Sequence, residues 1–356
     1  MTTYLLAGGG TAGHVNPLLA VADRIRDREP DAVILVLGTK EGLEARLVPE
    51  RGYELLTVAK LPFPRRPGRA ALAFPGRFRR AVAATRNYIT DRGVDVVVGF
   101  GGYASAPAYR AAKSLGIPLA VHEANARPGF ANRLGVRTAK AVGIAFHETK
   151  LPRATWVGMP LRHEIEQLDR TASRAEALKF FGLDAAKPTL LVTGGSTGAR
   201  SINAAVFAGA PRILAAGWQI LHIAGAGSEL SDSPDAAYRI IKYCDRMDLA
   251  IAAADLAVAR AGSATVSEFA AVGLPAVFVP YPVGNGEQRF NAMDAVNAGG
   301  ALLVDDAEFT PAWIEATLVP LLGDQAAIAE LSERIATTGT RDGADRMVAL
   351  VHGILR

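Results

Sequence analysis

Tyr4-Leu5-Leu6-Ala7-Gly8-Gly9-Gly10-Thr11-Ala12-Gly13 and Leu190-Leu191-Val192-Thr193-Gly194-Gly195-Ser196-Thr197-Gly198-Ala199 decide the fold. Each is a short apolar run, then a cluster of glycines, then the start of an Ala-rich amphipathic stretch. A strand apolar on both faces, feeding a helix through a tight turn, is the unit of a parallel sheet covered on both sides. The pattern continues outward from both. After the first come apolar runs at Val33–Leu37, Leu55–Val58, Asp95–Val98, Leu119–His122 and Ala141–Ile144. After the second come Gln219–Ile223, Leu256–Ala259, Ala276–Val279 and Ala301–Val304. Helical stretches such as Leu18–Arg28, Phe78–Thr90 and Ser267–Val272 separate them. The reading is α/β: two Rossmann-like parallel-sheet domains facing a cleft. Gly158 and Pro160 interrupt the pattern near the join. The expected domains are 1–160, 161–324 and a helical tail, 325–356, that packs back on the first.

The chain has 356 residues, enough for two domains. Half of it is hydrophobic, so it buries real cores and is not disordered. One cysteine, Cys244, excludes an intrachain disulfide framework and a Cys-based zinc site. The start lacks a charged n-region and long h-region, so no signal peptide is expected. No apolar run is long enough to span a bilayer. The net charge of +4 is too small to mark a nucleic-acid binder.

Glycines after a strand let the backbone approach a ligand, and the following helix points N–H groups at an anion. Three such turns occur, at Gly8–Gly13, Gly99–Tyr103 and Gly194–Gly198. The first formally fits the dinucleotide pattern G-x-G-x-x-G, but that reading also needs an acid at the end of the second strand. Leu37 runs instead into Gly38-Thr39-Lys40. NAD(P) is therefore not expected. Anion-friendly turns in two domains suit a nucleotide diphosphate donor and a second polar or phosphorylated substrate. A further segment, Ala259-Arg260-Ala261-Gly262-Ser263-Ala264-Thr265-Val266-Ser267-Glu268, puts a carboxylate in the first turns of a helix. An acceptor-only group there suits the hydroxyl pair of a ribose, or simply complements the helix dipole. The loop from Gly284 to Ala292 is dense in amides and acids suited to sugar hydroxyls.

These segments, with His14-Val15-Asn16-Pro17, Gly101–Pro107, His122-Glu123-Ala124-Asn125 and Gln288–Ala292, closely resemble the MurG family. Its members are UDP-N-acetylglucosamine–N-acetylmuramyl-(pentapeptide) pyrophosphoryl-undecaprenol N-acetylglucosamine transferases. The resemblance implies a GT-B fold and an inverting transfer of GlcNAc from UDP-GlcNAc to lipid I, giving lipid II on the cytoplasmic membrane face. No cofactor and no metal are implied, and the sequence has no Asp-x-Asp. By motif, Thr11, Ala12 and Gly13 line the donor-sugar side, and Asn125 and Gln288 bond GlcNAc hydroxyls. Arg162 and Ser196 meet the nucleotide or diphosphate, and Cys244 lies where a backbone reads uracil. Ser263, Ala264, Thr265 and Glu268 wrap diphosphate and ribose. Glu287 departs from a Gln-Gln pair seen in some members, which leaves its role open.

His14 follows the first glycine turn. An imidazole is available as a neutral base at cytosolic pH, so His14 either takes the proton of the muramyl 4-hydroxyl or only contacts the acceptor pyrophosphate. His122 reads as structural. Leaving-group charge falls to the Gly194–Gly198 turn with Arg162 or Arg260. Between Lys60 and Arg92 nine basic residues accompany one acid, Asp91, and Leu61, Phe63, Leu72, Phe74 and Phe78 interleave. Such a segment holds a peripheral enzyme on an anionic membrane without a span. The competing readings are a GT-B transferase for another lipid or natural-product acceptor, and a UDP-GlcNAc epimerase.

Overall fold

The computed structural model describes the whole chain except residues 65–67, 196, 232, 234, 284–285 and 356. The chain divides into two compact units: residues 1–162 with 342–356, and residues 163–341.

The strands of the first unit are β1 (Thr3–Ala7), β2 (Val33–Gly38), β3 (Glu54–Thr57), β4 (Val96–Gly99), β5 (Leu119–Glu123), β6 (Ala141–Ile144) and β7 (Ala154–Trp156). They form one parallel sheet in the order β3-β2-β1-β4-β5-β6-β7. Side chains alternate across it. Leu5 and Ala7 enter the core on one face, Tyr4 and Leu6 the core on the other. The second unit contains β8 (Thr189–Thr193), β9 (Gln219–Ile223), β10 (Tyr238–Ile241), β11 (Leu256–Ala259), β12 (Ala276–Phe278) and β13 (Ala301–Leu303). Their order, β10-β9-β8-β11-β12-β13, repeats that of the first sheet without its last strand. The paired strand–glycine stretches therefore occupy equivalent places, β1 beside β4 and β8 beside β11.

Two strands escape the sequence pattern. Ala154–Trp156 and Tyr238–Ile241 are short and lie at sheet edges; the first has no fully buried residue and the second buries only Tyr238 and Ile240, on one face. Helices start earlier than the apolar periodicity indicates. The helix Arg69–Asp91 begins well before Phe78 and runs through Pro75 and Gly76.

The expected tail, 325–356, divides. The helix Gln325–Ala336 stays in the second unit, where Ser332 Oγ donates to the Gly273 carbonyl at 2.6 Å. Only the helix Gly343–His352 returns to the first. It buries Met347, Val348 and Val351 against the Tyr4 and Leu6 face. Arg24 reaches Asp345 at 2.8 Å, and Arg28 also pairs with Asp345. Gly143 leaves the room for this: a methyl there would press on the Met347 sulfur and on Val157. Among the described residues no helix is long and apolar enough to cross a membrane.

Candidate active site

In open α/β sheets, ligands sit beyond the carboxyl ends of strands where the order reverses. In the first unit that point lies between β1 and β4. Gly8–Gly13 and Gly99–Gly102 meet there so closely that a methyl on Gly102 would collide with the Gly9 carbonyl. Ser105 Oγ ties the two turns together, donating to the Ala7 carbonyl at 2.9 Å and to that of Gly101 at 2.8 Å. A cavity of about 520 Å³ opens over them. Thr11, His14, Tyr103, Glu123 and Asn132 supply its polar lining, and Leu61, Phe63, Phe74, Phe78, Phe130 and Leu134 its apolar side. The aromatic rings are mutually packed, Phe63 lying 4.5 Å from Phe130 and 5.4 Å from Phe74 between centroids.

His14 is half-buried in the first turn of the helix Ala12–Arg28, its Nδ1 3.3 Å from Thr11 Oγ1. Burial pushes its pKa below the ordinary value, and the nearby Glu123 carboxylate, the Gly9 carbonyl and Glu44 counter this only in part. The ring is therefore neutral at neutral pH, as a general base must be. His122 is fully buried, and burial lowers it to about 4. Its neutral ring donates from Nε2 to the Gly158 carbonyl at 3.1 Å, a bond that ties β5 to the segment after β7.

Two carboxylates organise this site without having been assigned a role from the sequence. Glu123, at the end of β5, accepts from the backbone N–H of Asn125 and of Gly129 and from Asn132 Nδ2, each at 2.9 Å. It shapes the loop that carries Asn125, which is itself not among the cavity-lining residues. Glu44 is completely buried. One of its oxygens accepts from Gly10 N–H at 2.8 Å, the other from Thr39 N–H at 2.9 Å and Thr39 Oγ at 2.8 Å. Burial opposes its ionisation, but these bonds outweigh burial and hold its carboxyl below the ordinary value. The acid missing after Leu37 thus stands six residues beyond Gly38, and it is turned inward onto the glycine turn. The Gly10 amide is consequently occupied within the protein, so this turn offers an anion less than its glycines suggest. In sequence Glu44 is one of two acids, with Glu41, in the glycine-containing loop after β2, and the Gly10 amide it holds is remote in sequence.

In the second unit the reversal lies between β8 and β11. The helices that follow, Arg200–Ala215 and Ser263–Val272, have no side-chain cap. Asp169, Thr310 and Asp324, by contrast, cap helices elsewhere in that unit. Uncapped N-termini leave backbone N–H groups for a bound anion. Ser263, Ala264, Thr265 and Glu268 lie on the second of these helices, with Glu268 buried in its second turn. Asn291 Nδ2 donates to the Ala261 carbonyl at 3.2 Å and draws the helix Glu287–Asn291, with Gln288, to the same place. Gln288 Oε1 accepts from Tyr281 N–H at 2.9 Å. Cys244 is half-buried after β10. Arg162 is the last residue of the first unit before the chain enters the second. Ser196 lies outside the described residues, as do Arg65 and Arg66 of the basic segment. Arg260, one of the two arginines considered for the leaving-group charge, has partners within the protein. It donates to the carbonyls of Val279 and Pro280 at 3.0 and 3.1 Å and to Ser201 Oγ at 2.9 Å, and it pairs with Asp306 at 2.5 Å. Among the described residues no group of three or more His, Cys, Asp or Glu side chains could hold a metal ion.

Residues 4–144 match the glycosyltransferase family 28 N-terminal domain, and residues 189–347 match the family's C-terminal domain. A UDP-N-acetylglucosamine–N-acetylmuramyl-(pentapeptide) pyrophosphoryl-undecaprenol N-acetylglucosamine transferase from Leifsonia xyli subsp. xyli is 64% identical over 351 residues, covering 99% of this chain and 98% of the relative. The chain belongs to the MurG family of glycosyltransferases. A MurG-family relative of the same name from Streptomyces coelicolor is 50% identical, with 98% and 97% covered. The crystal structure of Acinetobacter baumannii MurG superposes with a TM-score of 0.82 at 28% identity, covering 99% of this chain and all of that one. MurG-family membership makes the chain a hexosyltransferase that uses a UDP-sugar.

Proposed function

We propose that this enzyme transfers GlcNAc from UDP-GlcNAc to the muramyl 4-hydroxyl of lipid I, forming lipid II for peptidoglycan. The relatives' shared name supports the substrates. The observation that carries the chemistry is His14, neutral and at the edge of a cavity with glycine turns on one side and packed aromatics on the other. His14 takes the proton from the acceptor hydroxyl as its oxygen bonds to the anomeric carbon. The bond from that carbon to the β-phosphate oxygen breaks on the opposite face, which inverts the centre and releases UDP. The leaving diphosphate is met by the uncapped helix ends after Gly198 and Gly262, with Ser196, Ser263, Ala264 and Thr265 around it and Arg162 in support. Glu268 accepts from the ribose hydroxyls, the backbone at Cys244 reads uracil, and Asn125 and Gln288 bond the sugar. Thr11, Ala12 and Gly13 border the donor sugar.

The acceptor is delivered at a membrane face. On the helix Arg69–Asp91, Arg77, Arg79, Arg80 and Arg86 are exposed, as are Leu72 and nearby Phe63. This combination suits peripheral binding to an anionic leaflet on the cytoplasmic side.

The deciding experiment gives the enzyme radiolabelled UDP-GlcNAc with and without a lipid I analogue. Label enters the lipid phase, and UDP is released, only with the acceptor. Conversion of UDP-GlcNAc without an acceptor would instead support an epimerase. His14→Ala loses turnover while UDP-GlcNAc still binds, and near-normal turnover in that variant would remove the base assignment.

A further inference from the structure

The Glu44 carboxylate has no place in the chemistry described above, yet it is completely buried at the base of the first glycine turn. Its three donors come from two loops. Gly10 N–H belongs to the turn after β1, and Thr39 N–H and Oγ to the turn after β2. The chain has made room for it: a methyl on Gly9, Gly38 or Gly42 would meet the Glu44 side chain at once. One residue beyond Gly10 stands Thr11, the N-cap of the helix that carries His14; its side chain caps no helix N–H and instead lies 3.3 Å from His14 Nδ1. The Gly9 carbonyl in turn abuts Gly102. A single buried anion thus fixes the backbone from which the His14 ring is aimed.

We infer that Glu44 is a positioning residue for transfer: it clamps the first glycine turn through the Gly10 amide and so holds His14 in its place over the cavity. It also contributes a fixed negative charge beside a ring that becomes positive as it takes a proton. The charged or titratable groups acting on His14 are Glu123, Glu44 and the neutral His122. The first two favour the imidazolium. The same bond occupies the Gly10 amide, which leaves this turn one donor fewer for a phosphate. This inference rests on His14 as the base.

The test is Glu44→Gln in the full-length enzyme. An amide cannot accept at both ends, so either the Gly10 or the Thr39 amide loses its partner. Expected are a fall in kcat of about 10- to 100-fold, as for a misplaced catalytic group, and a KM for UDP-GlcNAc within about twofold of wild type. The His14 titration, followed by ¹⁵N NMR of labelled imidazole without substrate, moves to lower pH because one favourable negative charge is gone. Wild-type kcat overturns the inference. So does a loss of kcat with an unmoved His14 titration, which would mark a merely structural side chain. Thr39→Val removes one hydroxyl donor and keeps the charge. Should Glu44→Gln fail to fold, Thr39→Val carries the test: kcat falls severalfold at unchanged donor KM, and wild-type kcat there overturns the inference. His14→Ala in parallel reports on the base assignment alone, since the NMR shift is read without turnover.

Discussion

Arg260 offers a sharp test of how a charge at a strand end is read. A cation at the end of β11 invites the role of diphosphate partner, but its bonds point inward. The guanidinium joins two carbonyls, Ser201 Oγ and the Asp306 carboxylate, with side-chain exposures of 10% for Arg260 and 19% for Asp306. Arg260→Ala removes all four partners and strands a mostly buried carboxylate. Breaking a buried pair from one side costs about 3–5 kcal/mol, and the residual exposure of Asp306 favours the lower end, about 3 kcal/mol. For a unit of this size each kcal/mol lowers Tm by about 2–4 °C, so the fall is about 6–12 °C. The assay pairs calorimetric unfolding with titration of UDP-GlcNAc binding at a temperature where the variant is folded. Binding within a few-fold of wild type, with the lowered Tm, supports the structural role. An unchanged Tm with binding or kcat lost by orders of magnitude would refute it and return Arg260 to the diphosphate.

Three further outcomes follow from the same geometry. The acid limb of the kcat–pH profile lies below the ordinary histidine value near 6.5, because burial lowers His14 and the neutral form is the active one. Activity rises with pH through that point, and Glu123→Gln, which removes a field favouring the imidazolium, moves the limb lower still; a limb above 6.5 would contradict the site electrostatics. Met347→Ala empties a fully buried position and destabilises the first unit by about 2–5 kcal/mol, read in chemical denaturation. Arg77→Ala with Arg79→Ala weakens partitioning to anionic vesicles about 30-fold, at about 1 kcal/mol for each charge, and leaves neutral vesicles unaffected; equal binding by the variant would exclude this face as the membrane contact.

Much of the fold was legible because its signals are local. A strand buried on both faces needs a continuous apolar run, and Thr189–Thr193 or Ala141–Ile144 can be little else. The edge strands Ala154–Trp156 and Tyr238–Ile241 carry no such demand and went unread. The site was legible where a motif encodes backbone geometry, as in the glycine turns and the Ser263–Glu268 helix start. It was illegible where a side chain holds backbone amides to which no sequence motif links it. Glu44 and Glu123 are ordinary acids in sequence, and only the folded chain shows which amides they hold. The internal partners of Arg260 were illegible for the same reason, since Ser201 and Asp306 come from far along the chain.

The helix Gly343–His352 also sets a clock. Met347, Val348 and Val351 complete the core of a unit whose other residues end at Arg162. During synthesis the whole of 163–341 must leave the ribosome before that last piece exists. At about 5–20 residues per second this is a wait of roughly ten to forty seconds. Through that interval the Tyr4 and Leu6 face of the nascent first unit stays partly uncovered, so it is the surface on which a chaperone would act and where a truncated chain would stick to its neighbours.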